Sequence, residues 1–357
     1  MLSRHLSRCS ADRRLSTHAR SWAGHSGSRA GVANLKWGRL AIPLALALFL
    51  ACAVAGQSVQ QPRPGYRVME LPMHPWHVSN SGVATGQAGR DQAAIWSQGR
   101  GLQLLPTLKG FSQSEARGSN ASGEVAGFAR GDGSAAFVYR HGKVVLLPGA
   151  SSRALAINDS GSVVGEAEVG GKPPLTAVLW KNGRLNNLGG CCGGVAKGIN
   201  SRGQIIADLY DREGRYRAFL WESGRLQSMG PEKGYSSAIA INDAGHVLLQ
   251  ELERGVFVYR GPDATVQLKI PDRQPADGRA INNSDVVVGA FGPYFDADHA
   301  FVWSEQDGFR DLNDLIPTNT GWQLQVATGI NDRGEIVGFG DHNGQDDAGF
   351  LLVPESR

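Results

Sequence analysis

Small, aliphatic and turn-forming residues recur in a fixed order, as in Ala154-Leu-Ala-Ile-Asn158-Asp-Ser-Gly161-Ser-Val-Val-Gly165. Alanine or glycine stands two and four residues before the Asn in six of seven copies, and Gly stands three after it in five. Successive copies lie 38 to 49 residues apart, a period that indicates a repeat architecture. Aligned on the Asn, the copies are Asn80, Asn120, Asn158, Asn200, Asn242, Asn282 and Asn331.

Each copy predicts four antiparallel strands. Asn and Asp start tight turns and Gly supplies the positive φ that closes them, so the motif is typical of a strand, a turn and a second strand. A third strand is predicted at segments such as Ala218-Phe-Leu-Trp221, and a fourth at segments such as residues 143–147. The small residues place the first strand innermost, because blades that converge on one axis have least room there.

The last copy lacks a fourth strand after Leu351-Leu-Val353, and residues 66–72 resemble the fourth strand of another copy. We therefore predict an all-β, seven-bladed β-propeller over residues 65–354, with the last blade closed by the N-terminal strand. The alternative is an open solenoid, which would leave sheet edges exposed.

Residues 1–55 are typical of an export leader. Residues 1–39 carry eight Lys or Arg and one acid, residues 40–55 are uncharged and apolar, and Ala53-Val-Ala55 is a small-residue cleavage site. An uncleaved membrane anchor is the alternative. The leader is long, so translation could start further downstream. Residues 56–64 are predicted to be a linker.

The net charge of the chain differs between the leader and the remaining residues. The whole chain is +3 at pH 7, but the leader holds the excess of basic residues, so the remainder is acidic. This argues against a nucleic-acid partner. We expect a monomer without a cofactor, exported to the periplasm or the extracellular space.

The composite Ala-x-x-Ile-Asn-Asp-x-Gly-x-Val-Val-Gly, followed by Ala-Phe-Leu-Trp, resembles the HAF-type extracellular repeat family of bacterial proteins. The resemblance covers most of residues 74–352. Copy one departs from it at Trp76 and Ser79, and copy six has Asp285 in place of the turn Gly. The resemblance implies export and a propeller-like fold, and it implies no catalytic residue.

One repeat column suggests a ligand site. The residue three before the Asn is basic or His in four copies, at His77, Arg117, Lys197 and Arg279. Near the mouth of the channel, these groups could hold an anionic ligand through charge-assisted hydrogen bonds. The alternative is that long side chains simply reach water.

Two further features fall on the predicted variable loops. Cys191 and Cys192 are adjacent and could form a strained vicinal disulfide, or remain thiols. Two acidic loops are weak metal candidates, against the alternative of solvated loop charge. Their acidic and amide residues are Asp296, Asp298, Asp341, Asn343 and Asp347.

The sequence has no nucleophile elbow, phosphate loop or zinc-protease helix. The leading hypothesis is an exported, non-enzymatic propeller that binds a glycan, an anionic small molecule or a protein on its variable loop face. One alternative is a lyase or hydrolase acting on polysaccharide at the channel mouth, with His77, Arg117, Arg279 and Asp298 as the residues to test. Another is a surface structural or adhesion element.

Overall fold

Seven antiparallel sheets of four strands make up nearly all of the structure, a computed structural model that describes residues 65–189, 192–230, 234–293 and 299–355. The chain starts with β1 (Tyr66–Leu71). Blade one comprises β2 (His74–Val78), β3 (Ala84–Ala88), β4 (Gln92–Ser97) and β5 (Gly101–Leu104). Blade two comprises β6 (Phe111–Ser119), β7 (Val125–Gly131), β8 (Ser134–Arg140) and β9 (Lys143–Leu146). Blade three comprises β10 (Ala150–Ile157), β11 (Val163–Val169), β12 (Lys172–Lys181) and β13 (Arg184–Asn187).

The remaining blades follow the same plan. Blade four comprises β14 (Gly194–Ile199), β15 (Ile205–Tyr210), β16 (Tyr216–Glu222) and β17 (Arg225–Ser228). Blade five comprises β18 (Ser236–Ile241), β19 (Val247–Glu251), β20 (Gly255–Tyr259) and β21 (Thr265–Gln267). Blade six comprises β22 (Ala276–Ile281), β23 (Val287–Phe291), β24 (His299–Ser304) and β25 (Gly308–Asp311). Blade seven takes β26 (Trp322–Ile330), β27 (Ile336–His342) and β28 (Gln345–Pro354). Short 3₁₀ turns lie at Pro271–Arg273 and Leu312–Leu315.

The predicted closure is confirmed. β1 pairs antiparallel with β28 from Tyr66 opposite Pro354 to Leu71 opposite Gly349, and so supplies the outermost strand of blade seven. The chain's first strand therefore holds its last blade, and the seven-bladed β-propeller expected from the repeats is the observed fold.

Small residues do line the crowded centre. The first strands of neighbouring blades contact one another around the channel. Their small side chains, such as Ala116, Ala154 and Ala196, are fully buried. Aromatic residues of the third strands, such as Phe137 and Phe301, fill the wider space between blades and are also buried.

A β-bulge interrupts every inner strand at the third residue before the turn, for example at Leu155 and Lys197. At each bulge, the carbonyl group of the residue two positions before the bulged residue approaches the backbone of the second strand. A Cβ at Gly165 would lie 1.9 Å from the Arg153 oxygen, so only glycine fits without a shift there.

The recurring Asn holds the turn and also joins adjacent blades. In blade four, Asn200 Oδ1 accepts from the Gln204 N–H at 2.9 Å, and its Nδ2 donates to the Asn242 carbonyl oxygen at 3.0 Å. We call this set the asparagine ring; its members are Asn120, Asn158, Asn200, Asn242, Asn282 and Asn331. Each side chain is buried and doubly bonded, which explains why Asn stands at this position.

The predicted alignment of blade one on Asn80 is wrong by one residue. Asn331 Nδ2 donates to the carbonyl oxygen of Ser79, and the Val83 N–H donates to Ser79 Oγ. The turn hydrogen bond from Gly82 N–H likewise ends on the Ser79 oxygen. Ser79 therefore takes the place of the ring Asn, and Asn80 takes the place of the Asp that follows it.

The unusual Asp285 of blade six replaces a turn glycine and keeps its left-handed conformation, with φ of 58°. Its carboxylate accepts from Asn242 Nδ2 at 2.8 Å, from His246 Nδ1 at 2.8 Å and from Arg260 Nε at 2.9 Å. These contacts join blades five and six, so the departure from the repeat adds a connection between blades.

Candidate functional site

Exposed and buried positions alternate along the inner strands. In β14, Val195, Lys197 and Ile199 are half-buried, whereas Ala196 and Gly198 are buried. The column that was predicted to bind a ligand therefore lies on the channel wall in blades two to seven. In blade one the corrected alignment puts Trp76, not His77, into this column.

Arg117 packs on this wall beside blade one. Its guanidinium lies 4.7 Å from the ring centre of Trp76, and its Nη1 lies 3.3 Å from Glu115 Oε2. Arg130 approaches the same buried carboxylate at 3.2 Å. Burial lowers the pKa of Arg117 and Glu115 opposes that effect, so the charge of Arg117 is balanced by a fixed partner.

Lys197 and Arg279 are also paired. Lys197 Nζ lies 2.6 Å from Asp208 Oδ2 and donates to Ser237 Oγ at 2.6 Å. Arg279 lies 2.6 Å from Asp277 Oδ2. The column is therefore a set of ion pairs, in which each cation faces a carboxylate of its own or the adjacent strand.

His77 lies in the column otherwise occupied by Ala or Gly. Its backbone packs against Gly329 of blade seven, and its Nδ1 is buried without a hydrogen-bond partner. Burial lowers the pKa of His77 to about 4, so the imidazole is neutral at pH 7. The structure thus separates His77 from the other three residues predicted for the ligand site.

A cavity of about 950 Å³ opens between blades five and six on the face opposite the asparagine ring. We call it the blade 5–6 groove, and we call the face the variable face. The wall is mainly apolar and includes Leu268, Ile270 and Phe291. Ser237 and Asp277 also line it, and they bond Lys197 and Arg279, so two of the predicted site residues contact the groove wall without lining it.

Beside the groove lies an aromatic patch, formed by Tyr210, Tyr216, Tyr235 and Leu252. The ring centres of Tyr210 and Tyr216 are 6.1 Å apart, and those of Tyr216 and Tyr235 are 5.3 Å apart. Leu252 is 62% exposed, and its N–H donates to the Tyr235 oxygen at 3.2 Å, which fixes the turn that carries it. Tyr216 and Leu252 line the groove as well, so patch and groove form one surface.

A second inter-blade cavity, of about 480 Å³, lies between blades seven and one on the same face. Its wall includes Glu70, Asp91 and Asp347, together with His74. Burial lowers the pKa of His74, and the Asp347 carboxylate partly opposes this. Asp347 is therefore placed in a cavity, whereas Asp341 accepts from the Gly344 N–H at 2.9 Å within its own turn, beside Asn343.

Several predicted residues lie outside the described part of the chain, namely Cys191, Asp296, Asp298 and the whole leader and linker. Cys192 is described and half-buried, and the vicinal disulfide stays a prediction. Among the described residues, no three His, Cys, Asp or Glu side chains are placed to share a metal ion. Nor does the described part of the chain contain a helix that could span a bilayer.

The groove and the patch were not predicted from the sequence. One signal was available, because the turns between the second and third strands carry polar residues or glycine in blades one to four and seven, whereas blade five carries Leu252. That Tyr216 and Phe291 line the same groove depends on how three successive blades pack, which the repeat pattern does not encode.

No family model matches this chain, and no curated protein does. Solved propellers do resemble it. The β-propeller domain of the trilobed protease from Pyrococcus furiosus, which has an open velcro topology, has a TM-score of 0.56 at 11% identity, over 82% of this chain and 97% of that one. Virginiamycin B lyase from Staphylococcus aureus has a TM-score of 0.55 at 13% identity, over 81% of this chain and 100% of that one. YCF48 bound to a D1 peptide has a TM-score of 0.53 at 13% identity, over 82% of this chain and 98% of that one. At such identities the likeness establishes a β-propeller fold, which the structure of this chain displays with a closed ring of seven blades.

Proposed function

We propose that this propeller is an exported, non-enzymatic binding protein that holds its ligand in the blade 5–6 groove and on the adjoining aromatic patch. The observation that carries the proposal is the groove itself. Its volume of about 950 Å³ lies in the range of ligand pockets, and its mainly apolar wall meets polar groups at one end.

Three exposed apolar side chains on one face support the proposal. Tyr210 is 42% exposed, Tyr235 is 37% exposed and Leu252 is 62% exposed. Tyrosine supplies a large, rigid contact surface with a polar tip, and such residues are enriched in protein interfaces. Exposed apolar groups that adjoin a cavity are typical of interaction sites rather than of bare surface.

The chemistry of the wall favours one of the three predicted ligand classes. A sugar hydroxyl that is buried against Leu252, Leu268 or Ile270 would lose hydrogen bonds to water without replacement. Of the described basic groups in or near the groove wall, Lys197, Arg254 and Arg279 are paired with Asp208, Glu251 and Asp277. That leaves the exposed Lys269 of the wall as a single cation outside these pairs, which weakens the case for an anionic ligand. A polypeptide segment with a bulky apolar side chain fits best.

A non-enzymatic role is favoured because two of the described residues predicted for catalysis, His77 and Arg279, lie apart. His77 lies beside the asparagine ring, whereas Arg279 lies near the variable face with its own carboxylate partner. Export is inferred from the basic and apolar segments of residues 1–55 and is a proposal on that ground alone. Membership of the HAF-type repeat family is likewise a proposal, carried by the repeated motif.

The test is selection from a random peptide display library, run beside a glycan array and a panel of small carboxylates. We expect peptides with bulky apolar residues to be enriched, and Leu252→Asp to weaken their binding at least tenfold. Leu146→Asp is the matched control, because Leu146 is 50% exposed on the outer strand of blade two, away from the groove. Ligands that bind Leu252→Asp as well as the parent, or turnover of any glycan, would overturn the proposal.

A further inference from the structure

A third cavity, of about 210 Å³, lies at the end of the channel away from the variable face, where the seven turns meet. We call it the turn-face cavity. Its rim carries the residues that follow the asparagine ring, including the carboxylates Asp159, Asp243 and Asp332. No Lys or Arg belongs to the described residues that line it, so the lining is acidic.

The inner wall is apolar along most of its circumference. The residue before the ring Asn is isoleucine in five blades, and all five line the cavity; they are Ile157, Ile199, Ile241, Ile281 and Ile330. The same position is Val78 in blade one and Ser119 in blade two, and His77 of blade one lines the cavity as well. The wall therefore has an isoleucine arc and one polar notch.

The notch contains polar atoms whose hydrogen-bonding capacity is unused. Ser119 is only 8% exposed and its Oγ has no hydrogen-bond partner. His77 Nδ1 is buried and also unpartnered. Buried polar groups of this kind are rare, and each calls for a specific explanation such as a bound molecule. An isoleucine in blade two, as in five other blades, would fill the same place without burying an unpaired polar atom.

The rim carboxylates are held by the fold and keep acceptor capacity. Burial raises the pKa of Asp243, but hydrogen bonds from Ser201 and Asn283 outweigh it, so the net shift is downward and the group is charged. Asp159 Oδ1 accepts from the Ala121 N–H at 2.8 Å, one of several bonds that a carboxylate can accept. Arg333 reaches the rim at the Asn80 oxygen, and its charge is paired with Glu335.

We propose that the turn-face cavity binds a small organic cation, an ammonium group with apolar substituents and a hydrogen-bonding tail. The apolar substituents would contact the isoleucine arc and the positive charge would face the three rim carboxylates. The tail would reach Ser119 and His77 in the notch. At about 30 Å³ for each water-sized group, the volume suits a ligand of roughly seven heavy atoms.

Choline is a suitable probe, because it has a quaternary ammonium and a hydroxyl, and 3,3-dimethylbutan-1-ol is its uncharged isostere. Titration calorimetry on the full chain should show one choline site per chain, with the isostere bound at least tenfold more weakly. Equal binding of the two would show that charge is not recognised, and no choline binding would refute the site.

Two variants test the location. Combined Asp159→Asn, Asp243→Asn and Asp332→Asn should weaken choline binding at least tenfold. Blade six already has Asn283 at this position, and its Oδ1 accepts a hydrogen bond from the Asp243 N–H at 2.7 Å. Asn is therefore compatible with this turn. Should the triple variant not fold, Asp159→Asn alone serves.

Ser119→Ile should also weaken binding, because it completes the isoleucine arc and fills the notch. Asp132→Asn, in the β7–β8 turn on the variable face, is the charge-matched control and should leave choline binding unchanged. Full choline affinity in both Ser119→Ile and the Asp variants would overturn the assignment. Because this cavity and the blade 5–6 groove lie at opposite ends of the channel, failure of one proposal leaves the other untouched.

Discussion

The two faces of this propeller are made by the same seven repeats, yet they differ in how their loops are held. On the face that carries the Asn turns, which we call the turn face, six buried Asn side chains each bond the next blade, so hydrogen bonds join the turns in series from blade two through blade seven to blade one. On the variable face, the turns range from Asp132-Gly133 in blade two to Leu252-Glu253-Arg254 in blade five, and they border two inter-blade cavities.

The difference teaches that repetition in the sequence marks the face on which the fold depends. A turn that must bond its neighbour accepts few residues, because its donors and acceptors are buried. A turn that bonds mainly within itself can vary, and variable loops on a rigid scaffold are where binding concentrates. Four substitutions test this interpretation, and they follow in order of decreasing effect on stability.

Asn200→Ala should have the largest effect. It removes the acceptor for the Gln204 N–H and the donor to the Asn242 oxygen, both in a buried setting. The Asn242 oxygen keeps its bond from the Gly245 N–H, but the Gln204 N–H loses its acceptor. The loss of two hydrogen bonds and one unsatisfied N–H correspond to a loss of about 3 kcal/mol in the free energy of unfolding, measured by urea denaturation. Asn200→Ser keeps an acceptor, as Ser79 does in blade one, and should cost about half as much. An Ala variant as stable as the parent would mean that the ring does not hold the blades.

His77 should make the protein sensitive to acid. Its pKa is about 4 in the folded state and about 6.5 when unfolded, so its contribution is fully present above pH 6.5 and is lost as the pH falls towards 4. The loss amounts to roughly 3 kcal/mol at pH 4. Denaturation at pH 7 and pH 4 should show a smaller difference for His77→Ala than for the parent. Identical pH dependence in the two proteins would contradict the burial of this imidazole.

Asp285→Gly should have an intermediate effect, because it restores the repeat's glycine while removing a contact between blades. Loss of the bonds to Asn242, His246 and Arg260 destabilises, whereas glycine relieves the left-handed conformation. We expect a net loss of about 1 kcal/mol by urea denaturation. Asp285→Asn keeps an acceptor and should lose less, and a more stable Gly variant would show that backbone strain dominates.

Leu252→Asp should have the smallest effect on stability, although it is the variant that should weaken peptide binding at least tenfold. The side chain is 62% exposed, so the free energy of unfolding should change by less than about 0.5 kcal/mol. Thermal and urea unfolding should overlay those of the parent. A large loss of stability would mean that the variable face also supports the fold.

Much of the fold could be predicted because its signals are local. The Asn turn closes within five residues: the Asn200 N–H donates to the Gln204 oxygen, and the Gly203 N–H donates to the Asn200 oxygen. Each turn can therefore be predicted from its own copy of the repeat. Blade one misled the alignment because it contains an Asn one residue after the structural equivalent, Ser79. Aligning on glycine would have found the shift, since Gly82 lies three and Gly86 seven residues after Ser79, the spacing of Gly161 and Gly165 from Asn158.

The candidate sites were harder to predict because they depend on contacts between blades. The repeat column with basic residues could be found in the sequence. The pairing of Lys197 with Asp208 could not, because it depends on the register between β14 and β15 and on the rotamers of both side chains. The aromatic patch joins Tyr210 and Tyr216 of blade four to Tyr235, which precedes blade five.

The number of blades, the crowded inner strands and the closing strand at residues 66–72 follow from the amino-acid sequence, because turn chemistry and residue size act within one repeat. The neutralised cations, the positions of the grooves and the cavity that Ser119 and the five isoleucines line follow from the packing of the blades. Those outcomes depend on distances between side chains of different blades. The sequence pattern of a single repeat contains no information about these distances.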